Sequence, residues 1–500
     1  MSKINSNSVS KIFNKAVERA FKYYARNRIE LSLREIEFAS KWMYQFNQIY
    51  SDQRIESILS KISSDNIPNH IIESSDRNSI VFIDNFGWDN KGLTQQYLRG
   101  LVSANKKITY ILHNNNPIED SDIIFELKQY QNAKIIIIKT SKDNYLQCAQ
   151  GIANHICDAN PESILFHIAP WDVVSVLALA AIKGAARFNI NLTDHAFWIG
   201  TSVLDYNIEF RGYGKTVSLQ KRGLKEEQII ILPYYPIIPV RGEFEGLPEL
   251  ESGAIKIICG GAEYKMLGKN DIFFRLMDGI LEISDKVYIL VAGINLDSTF
   301  AKKVSKLKHR ERIKLIGNRK DINEVFAHSD IYLSSYPFIG GLMSQYAALN
   351  GLPILAYANK EDANICDEII NYNSNSVTSK TSLNDFFNYA SSLIQDQSFR
   401  ISEGISAKKA LITKECFNSI LNETLTTNKN GIIMNGGHPK YNDIEQFYLD
   451  VENLYLHAGL HTLISHYRLR AFTIAPSIMY NVIIEMIRTI IHKIIPATLS

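Results

Sequence analysis

Cysteine is scarce in this sequence, and long apolar runs are missing. The chain has 5 cysteines among 500 residues, and no two of them form a C-x-x-C pair. Such sparse, odd-numbered use is typical of a reducing compartment and excludes both a disulfide framework and a zinc knuckle. The first residues, MSKINSNSVSKIF, lack the apolar core of a secretion signal, and no stretch reaches the ~18 apolar residues that cross a bilayer. We therefore expect a cytoplasmic protein.

An excess of charge of one sign is missing as well. The sequence balances 54 Lys and Arg against 52 Asp and Glu, for a formal net charge of +2. Without a strong overall field, a nucleic acid is not expected as a partner. A 46% apolar share over this length is enough for roughly two to four domains, each with its own core.

Four segments follow one another along the chain. Residues 1–78 have apolar positions at three- and four-residue steps and predict helices. Residues 79–240 and 250–424 each alternate β-rich runs with helical stretches, which predicts two α/β units with parallel sheets. The proline-rich stretch LPYYPIIPVRGEFEGLPELESG lies between them, and residues 425–500 read as C-terminal helices. Two such units face each other across a cleft at the carboxyl ends of their strands.

The stretch RIKLIGNRKDINEVFAHSDIYLSSYPFIGGLMSQYAALNGLPILAYA carries a family resemblance. The order of its strands and loops, and the spacing from Gly340 to Gly351, resemble the nucleotide-sugar half of GT-B glycosyltransferases of the GT4 and GT41-like families. The resemblance covers roughly residues 79–420. It implies the GT-B fold, with two Rossmann-like domains facing a cleft. It also implies transfer of a sugar from a nucleotide diphosphate sugar, UDP-sugar first, to a protein, glycan or lipid-linked acceptor.

Two loops of the second unit are candidates for binding the donor. Gly340-Gly341 leads into a helix, where backbone N–H groups and the helix end can approach a diphosphate, and Ser344 adds a hydroxyl in the first turn. A tight strand-to-helix turn is the alternative reading of the glycines. In CGGAEYKMLGKND, Lys265 and Lys269 can neutralise the charge of the leaving diphosphate, and the alternative for each is a surface lysine without such a contact. Further candidates are Asn318, which follows the strand RIKLIG, and Gln345 and Tyr346, which lie in the helix after Gly340-Gly341.

The sequence departs from the related families within this helix. Tyr346 stands where both families place an acidic residue against the donor ribose, and Ile339 and Gly340 stand where GT4 members carry a glutamate beside the sugar. These differences keep two alternatives open. One is a GT-B sugar-nucleotide epimerase, and the other is a catalytically degenerate GT-B protein that serves as a binding or assembly partner.

The first unit offers the candidate catalytic residues. Asp194 and His195 follow a strand in NINLTDHAFWIG. A histidine there can take a proton from an acceptor, with Asp194 orienting it, although a histidine satisfied in a packed loop is the competing interpretation.

Other residues of the first unit point to donor or acceptor contacts. Gly87 and Asn90 in the first strand-to-helix loop fit a donor loop. His167 and Trp171 at another strand end, and Arg211 further on, are candidates for the acceptor. For Trp171 packing in the core is the alternative, and for Arg211 a solvated basic face.

Residues with metal-ligand spacing are missing, so we expect neither a required metal nor another cofactor. Residues 477–495 repeat paired apolar residues every four positions, opposite polar residues. Three interpretations stay open for this stripe: packing on the body, peripheral contact with the cytoplasmic face of a membrane, and self-association.

Overall fold

The computed structural model describes residues 4–73, 76–87, 93–237, 243–358, 367–427, 449–450, 457–476, 478–480 and 483–484. Three helices open the chain, as the apolar spacing of this region predicts. They are α1 (Ser6–Tyr24), α2 (Ile29–Phe46) and α3 (Gln53–Asn66). Asn5 caps α1 by accepting the N–H of Ser8 at 2.9 Å, and Asp52 caps α3. Such oxygens satisfy N–H groups that have no partner within a helix.

The first α/β unit contains a seven-stranded parallel sheet in the order β4-β3-β2-β5-β7-β8-β9. Its strands are β2 (Asp76–Asp84), β3 (Lys107–Asn114), β4 (Ala133–Lys139), β5 (Pro161–His167), β7 (Ala186–Asn191), β8 (Tyr206–Glu209) and β9 (Ile229–Ile231). Two further short strands, β1 (His70–Ile71) and β6 (Ile182–Lys183), pair with each other. The helices of this unit are α4 (Thr94–Ser103), α5 (Asp122–Gln129), α6 (Tyr145–Ala159), α7 (Val173–Ala180) and α8 (Gly212–Lys221).

The second unit contains a five-stranded parallel sheet in the order β12-β11-β10-β13-β14. Its strands are β10 (Ile255–Gly260), β11 (Val287–Ala292), β12 (Ile313–Gly317), β13 (Ile331–Leu333) and β14 (Ile354–Leu355). The helices that follow along the chain are α9 (Ile272–Ile283), α10 (Thr299–Val304), α11 (Ile322–Ala327), α12 (Gly341–Leu349), α13 (Asp367–Ile370), α14 (Leu383–Gln395), α15 (Gln397–Ala410) and α16 (Lys414–Thr427). The parallel pairing in both sheets confirms the α/β prediction, and the pair of units agrees with the GT-B expectation.

The opening helices share one hydrophobic core with the first unit. Ile36 and Trp42 of α2 are fully buried in the same cluster as Val81 of β2 and Leu177 of α7. The other face of the seven-stranded sheet has a separate core, and the second sheet has one core on each face. The helical segment is therefore an integral part of the first unit.

Helix α16 begins within the range 250–424 that the sequence assigns to the second unit and ends at Thr427, but it packs on the first unit. The ring of Phe417 meets that of Tyr97 of α4 with centroids 5.2 Å apart. A Cβ atom on Gly100 would come within 2.7 Å of Leu421. A larger residue at this position would force the Leu421 side chain to move, so the glycine favours the close approach of the two helices.

The last helices, α17 (His457–Tyr467) and α18 (Ala471–Ile474), pack on the opening helices. The Tyr467 hydroxyl donates to Glu35 of α2 at 2.6 Å, and Gln45 donates to Thr462 at 2.9 Å. Ile478 and Met479 of the predicted apolar stripe are buried in the same core. For these two residues, packing on the body is confirmed. Most of residues 477–495 lies outside the described part of the chain. No helix in the described ranges is long and apolar enough to cross a membrane.

Candidate functional site

The carboxyl-terminal edges of the two sheets meet around His195 and Phe338. His195 follows β7 in the first sheet, and Phe338 follows β13 in the second. Their rings lie edge to face with centroids 6.0 Å apart. Open parallel sheets bind ligands at this edge, because the loops that follow the strands converge there. The contact places the predicted catalytic residue directly opposite the predicted donor loops.

Asp194, His195 and Arg211 form one cluster. The Asp194 carboxylate is fully buried, and its Oδ1 lies 3.1 Å from Nδ1 of His195. Arg211 donates from Nε to Oδ2 of Asp194 at 2.5 Å and from Nη2 to Oδ1 at 3.2 Å. The guanidinium and the imidazole hold the pKa of Asp194 well below its usual range. The carboxylate therefore stays charged and can orient the imidazole.

The imidazole of His195 remains accessible, with 28% of its side chain exposed. A proton on Nδ1 directed at Asp194 makes Nε2 the basic nitrogen. A base oriented in this way can accept a proton from a hydroxyl or amide that enters the cleft. The predicted partnership of Asp194 with His195 is present in the structure, and its catalytic role stays a prediction.

The loop that carries His195 is held by side chains from two other elements. Arg222 donates to the carbonyl oxygens of Asp194 and Ala196 at 2.9 and 2.7 Å. Asn47, just after α2, donates to the carbonyl oxygen of His195 at 2.8 Å. Asn47 is separated from His195 by 148 positions and has a left-handed backbone. No pattern in the sequence links these residues, so sequence reasoning missed them.

Arg211 is not a solvated basic residue, because its side chain is 4% exposed. Burial alone would lower the pKa of the guanidinium, but the charge and hydrogen bonds of Asp194 outweigh it and raise that pKa. Its Nη1 atom has no hydrogen-bond partner within the described residues. The observed contacts make Arg211 the counter-ion of Asp194, and its predicted contact with an acceptor stays a prediction.

Glu368 of α13 brings a carboxylate from the second unit to this cluster. Its Oε2 accepts the N–H of Tyr213 at 3.2 Å, and a Cβ atom on Gly212 would lie 3.1 Å from Oε1. Burial raises the pKa of Glu368, while Arg211 opposes that shift. This acidic group was not among the sequence candidates, because α13 follows a stretch without a motif.

Lys265 lies in the loop after β10 at the edge of the second sheet. The residue is half-buried, and its ammonium makes no ion pair or hydrogen bond with any residue in the described ranges. Burial lowers the pKa of the lysine. A half-buried cation without a partner is costly, and an anionic ligand would offset that cost. The side chain of Lys269 lies outside the described part.

Glycines bring the ends of β10 and β11 close together beside Lys265. A Cβ atom on Gly260 would meet the carbonyl oxygen of Ala292 at 2.3 Å, and one on Gly293 would meet that of Gly261 at 2.9 Å. Gly260 has φ of +154° and Gly293 has φ of +83°. A side chain at Gly260 or Gly293 would clash with the neighbouring backbone. The main chain beside Lys265 is therefore not covered by side chains at these two positions.

Gly340 precedes α12, and Gly341 is its first residue. A Cβ atom on Gly341 would lie 3.1 Å from Ile369 and 3.3 Å from the hydroxyl of Tyr234. Ser344 is buried in the first turn, and its N–H donates to the carbonyl oxygen of Gly340 at 2.8 Å. The helix therefore begins at the sheet edge, as the sequence predicts, and its role in phosphate binding stays a prediction.

Gln345 and Tyr346 of α12 hold the segment that joins the two units. Gln345 donates to the carbonyl oxygen of Tyr234 at 2.8 Å, and the Tyr346 hydroxyl donates to that of Ile237 at 2.8 Å. Burial raises the pKa of Tyr346 to about 12. Both groups thus bind main chain in the described structure, and a contact of either with a donor ribose stays a prediction.

His167 and Gly87 belong to a buried network around Asp84. The carboxylate of Asp84 accepts the N–H of Gly87 at 2.8 Å and the hydroxyl of Thr94 at 3.2 Å. His167 is 1% exposed, its Nδ1 lies 3.0 Å from the Thr94 hydroxyl, and burial lowers its pKa. This network fixes the first strand-to-helix loop. Contact of His167 with an acceptor and of Gly87 with a donor stay predictions. Asn90 lies outside the described residues.

Trp171 is half-buried, and its ring meets Tyr44 of α2 edge to face at 5.3 Å. The ammonium of Lys41 lies 5.4 Å from the same ring. The opening helices therefore reach the cleft edge through Tyr44 as well as Asn47. At the edge of the second sheet, Asn318 is exposed after β12. The roles of Trp171 at the acceptor and of Asn318 at the donor stay predictions.

Within the described residues, no group of three or more His, Cys, Asp or Glu side chains lies close enough to share a metal ion. Whether the reaction requires a metal stays a prediction.

Comparisons with known proteins give distant matches. No family model matches the chain. No curated protein matches its sequence. Among solved structures it is similar to an O-GlcNAc transferase mutant from Thermobaculum terrenum, with 12% identity, a TM-score of 0.42 and coverage of 90% of this chain and 84% of the other.

Two further solved structures illustrate the range of these similarities. A glycosyltransferase from Rickettsia africae has 15% identity, a TM-score of 0.46 and coverage of 76% and 99%. A UDP-N-acetylglucosamine 2-epimerase from Listeria monocytogenes has 13% identity, a TM-score of 0.46 and coverage of 72% and 99%. Transferases and an epimerase match to the same degree, so similarities this distant assign neither donor nor acceptor.

Proposed function

We propose that this protein is a glycosyltransferase that moves a hexose-type sugar from a nucleotide diphosphate sugar, UDP-sugar first, to a protein, glycan or lipid-linked acceptor. The observation that carries the proposal is the pairing of two different sheet edges. Lys265 is a half-buried cation without a described partner beside a glycine-lined main chain. Across the cleft, His195 is held by a buried carboxylate. The positive charge of Lys265 can stabilise a leaving diphosphate, and the imidazole of His195 can receive the proton that an acceptor loses.

The proposed division of roles follows from the chemistry of each edge. Lys265 and the N-terminus of α12 at Gly340-Gly341 stabilise the charge that develops on the leaving diphosphate. His195 receives the proton of the acceptor hydroxyl or amide through Nε2, while Asp194 orients the ring and stabilises the imidazolium. Lys265 and the helix terminus supply the positive charge that a divalent ion provides elsewhere. We propose that the reaction takes place in the cytoplasm.

A panel of nucleotide sugars tests the proposal. UDP-, GDP-, ADP- and CMP-sugars are each incubated with the full chain, and thermal shift and nucleotide release are followed. We expect stabilisation and release with one nucleotide class. The absence of both with every donor would contradict the proposal, and binding without any release in the presence of acceptor extracts would favour a degenerate binding protein. Release of UDP together with a free, epimerised sugar would favour an epimerase.

A further inference from the structure

A turn between α17 and α18 exposes apolar side chains on the surface of the molecule. Residues Arg468–Arg470 form a single turn of 3₁₀-helix. Leu469 in this turn is 84% exposed, and Phe472 on the next helix is 42% exposed. Tyr480 follows at 65% exposure. Few side chains of this size are exposed to this degree in the described residues, and these three lie within twelve positions.

The packing of this region explains which face is left outward. Tyr467, Ala471 and Ile474 point into the core that α17 and α18 share with α1 and α2. Leu469 and Phe472 alternate with these residues and lie on the opposite side. Leu469 and Phe472 therefore form an apolar face that lies outside this core.

The described segment that carries this face is cationic. Arg468 and Arg470 flank Leu469 and are exposed, and no Asp or Glu occurs between residues 453 and 484. Lys15 of α1 adds a cation, since its Nζ donates to the carbonyl oxygen of Ile474 at 3.2 Å. The carboxylate of Glu35 beneath the segment is buried and bound by Arg19 and Tyr467. Leu469 and Phe472 therefore lie beside arginine and lysine side chains.

We propose that Arg468, Leu469, Arg470 and Phe472 form a docking face for the surface of an anionic phospholipid bilayer. Apolar and aromatic side chains enter the boundary between headgroups and acyl chains, and flanking arginines bind the anionic headgroups. The complementarity of charge selects a lipid surface over a second copy of this chain, because two copies would bring the same cations together.

The packing of α17 on α2 shows where the docking face lies relative to the cleft. Helix α17 runs antiparallel to α2, since Thr462 contacts Gln45 while Tyr467 contacts Glu35. From Glu35 to Asn47, which holds the His195 carbonyl, the helix rises about 18 Å at ~1.5 Å per residue. The turn after Tyr467 thus lies toward the end of α2 that is farther from Asn47 and the cleft. The proposal itself does not depend on the proposed activity.

Vesicle flotation tests the docking face on the full chain. The protein is mixed with vesicles of phosphatidylcholine alone or of phosphatidylcholine with phosphatidylglycerol, and the floated fraction is measured at low and high salt. We expect flotation with the anionic vesicles only, reduced at high salt because screening weakens the arginine contacts. A protein that stays in the bottom fraction with both vesicles would overturn the proposal.

Two variants separate the apolar and cationic parts of the face. Removing both cations in Arg468→Gln/Arg470→Gln is expected to weaken binding roughly 30-fold, from about 1 kcal/mol for each arginine. Leu469→Ser/Phe472→Ser is expected to weaken binding at least about tenfold. The matched control is Leu296→Ser in the second unit, where the leucine is 80% exposed. It should float like the wild type.

Light scattering tests the competing explanation, in which the docking face is an interface between two copies of the chain. If the wild type forms dimers that Leu469→Ser/Phe472→Ser converts to monomers, and neither protein floats, the face is an interface between copies and the lipid proposal is wrong. Equal flotation of the wild type and both double variants would also contradict it. A monomer that floats in the wild-type form alone supports the proposal, whether or not any nucleotide sugar is turned over.

Discussion

The two sheet edges that meet at the cleft differ in how their charges are satisfied. At the edge of the first unit, Asp194, Arg211 and His195 bind one another, and the carboxylate is fully buried. At the edge of the second unit, the ammonium of Lys265 has no partner in the described ranges. The first edge is therefore preorganised in the absence of ligand. In the proposed function, an anionic ligand supplies the missing partner at the second edge.

This difference teaches that the two halves of the site respond differently to substitution. Changing a member of the first cluster disturbs both chemistry and folding, because its members are buried together. Changing Lys265 removes a group that the folded protein does not use internally, so binding is affected more than stability.

The largest expected effect is on catalysis at the first edge. Replacing His195 in His195→Gln removes the proton acceptor, and we expect kcat for nucleotide release to fall by roughly 10²–10⁴-fold, measured with the preferred donor and acceptor. Affinity for the nucleotide should change little. The control is His155→Gln, at a half-buried histidine on α6. Equal kcat in the two variants would remove His195 from the mechanism.

The next effect is on stability. Asp194→Ala leaves the buried guanidinium of Arg211 without its counter-ion, which we expect to lower the free energy of unfolding by about 3–5 kcal/mol, measured by urea denaturation. The control is Asp205→Ala, which breaks the partly exposed pair with Arg187 and should cost about 1 kcal/mol or less. Similar losses in the two variants would show that the first cluster is not a special buried unit.

A smaller effect is expected at the start of α12. Gly341→Ala places a methyl group 3.1 Å from Ile369 and 3.3 Å from the Tyr234 hydroxyl, so these side chains or the helix end must move by a few tenths of an ångström. We expect nucleotide affinity to fall roughly tenfold from this displacement, measured by calorimetry. Gly151→Ala on α6, where a Cβ atom meets nothing within 4 Å, should leave affinity unchanged. If both variants bind alike, the helix terminus does not contact the ligand.

The smallest effect is the pH dependence at the second edge. Burial lowers the pKa of Lys265 from its ordinary value of 10.5. The lysine therefore loses its proton at a lower pH than a surface lysine, and UDP affinity should begin to fall there. Lys265→Arg keeps its charge throughout this range, so the alkaline decline should disappear in titrations of this variant. If the UDP affinity of the arginine variant declines at the same pH as that of the wild type, the decline is caused by another group.

Much of the fold was predictable because it follows from local pattern. Apolar periodicity predicted the opening helices. The buried apolar runs that form β2, β3 and β10 predicted two parallel sheets. The position of Asp194 and His195 after a strand also placed them at the sheet edge.

Long-range contacts were not predictable in the same way. The contacts of Asn47 with His195 and of Glu368 with Tyr213 join residues more than a hundred positions apart. Tyr346, chosen from the family resemblance, donates to the carbonyl oxygen of Ile237 in the linker, and its contact with a donor ribose stays a prediction. Tertiary packing, rather than residue type, decides such partners.

The most direct test of the account is calorimetric titration of UDP into the wild type, Lys265→Ala and Lys286→Ala. Lys286 is an exposed lysine that precedes β11, at the opposite edge of the same sheet. We predict that UDP binds the wild type and Lys286→Ala equally and binds Lys265→Ala about 10–100-fold more weakly, as expected for loss of a charged hydrogen bond. Equal binding by all three proteins, or by none, would contradict a nucleotide diphosphate site at this edge.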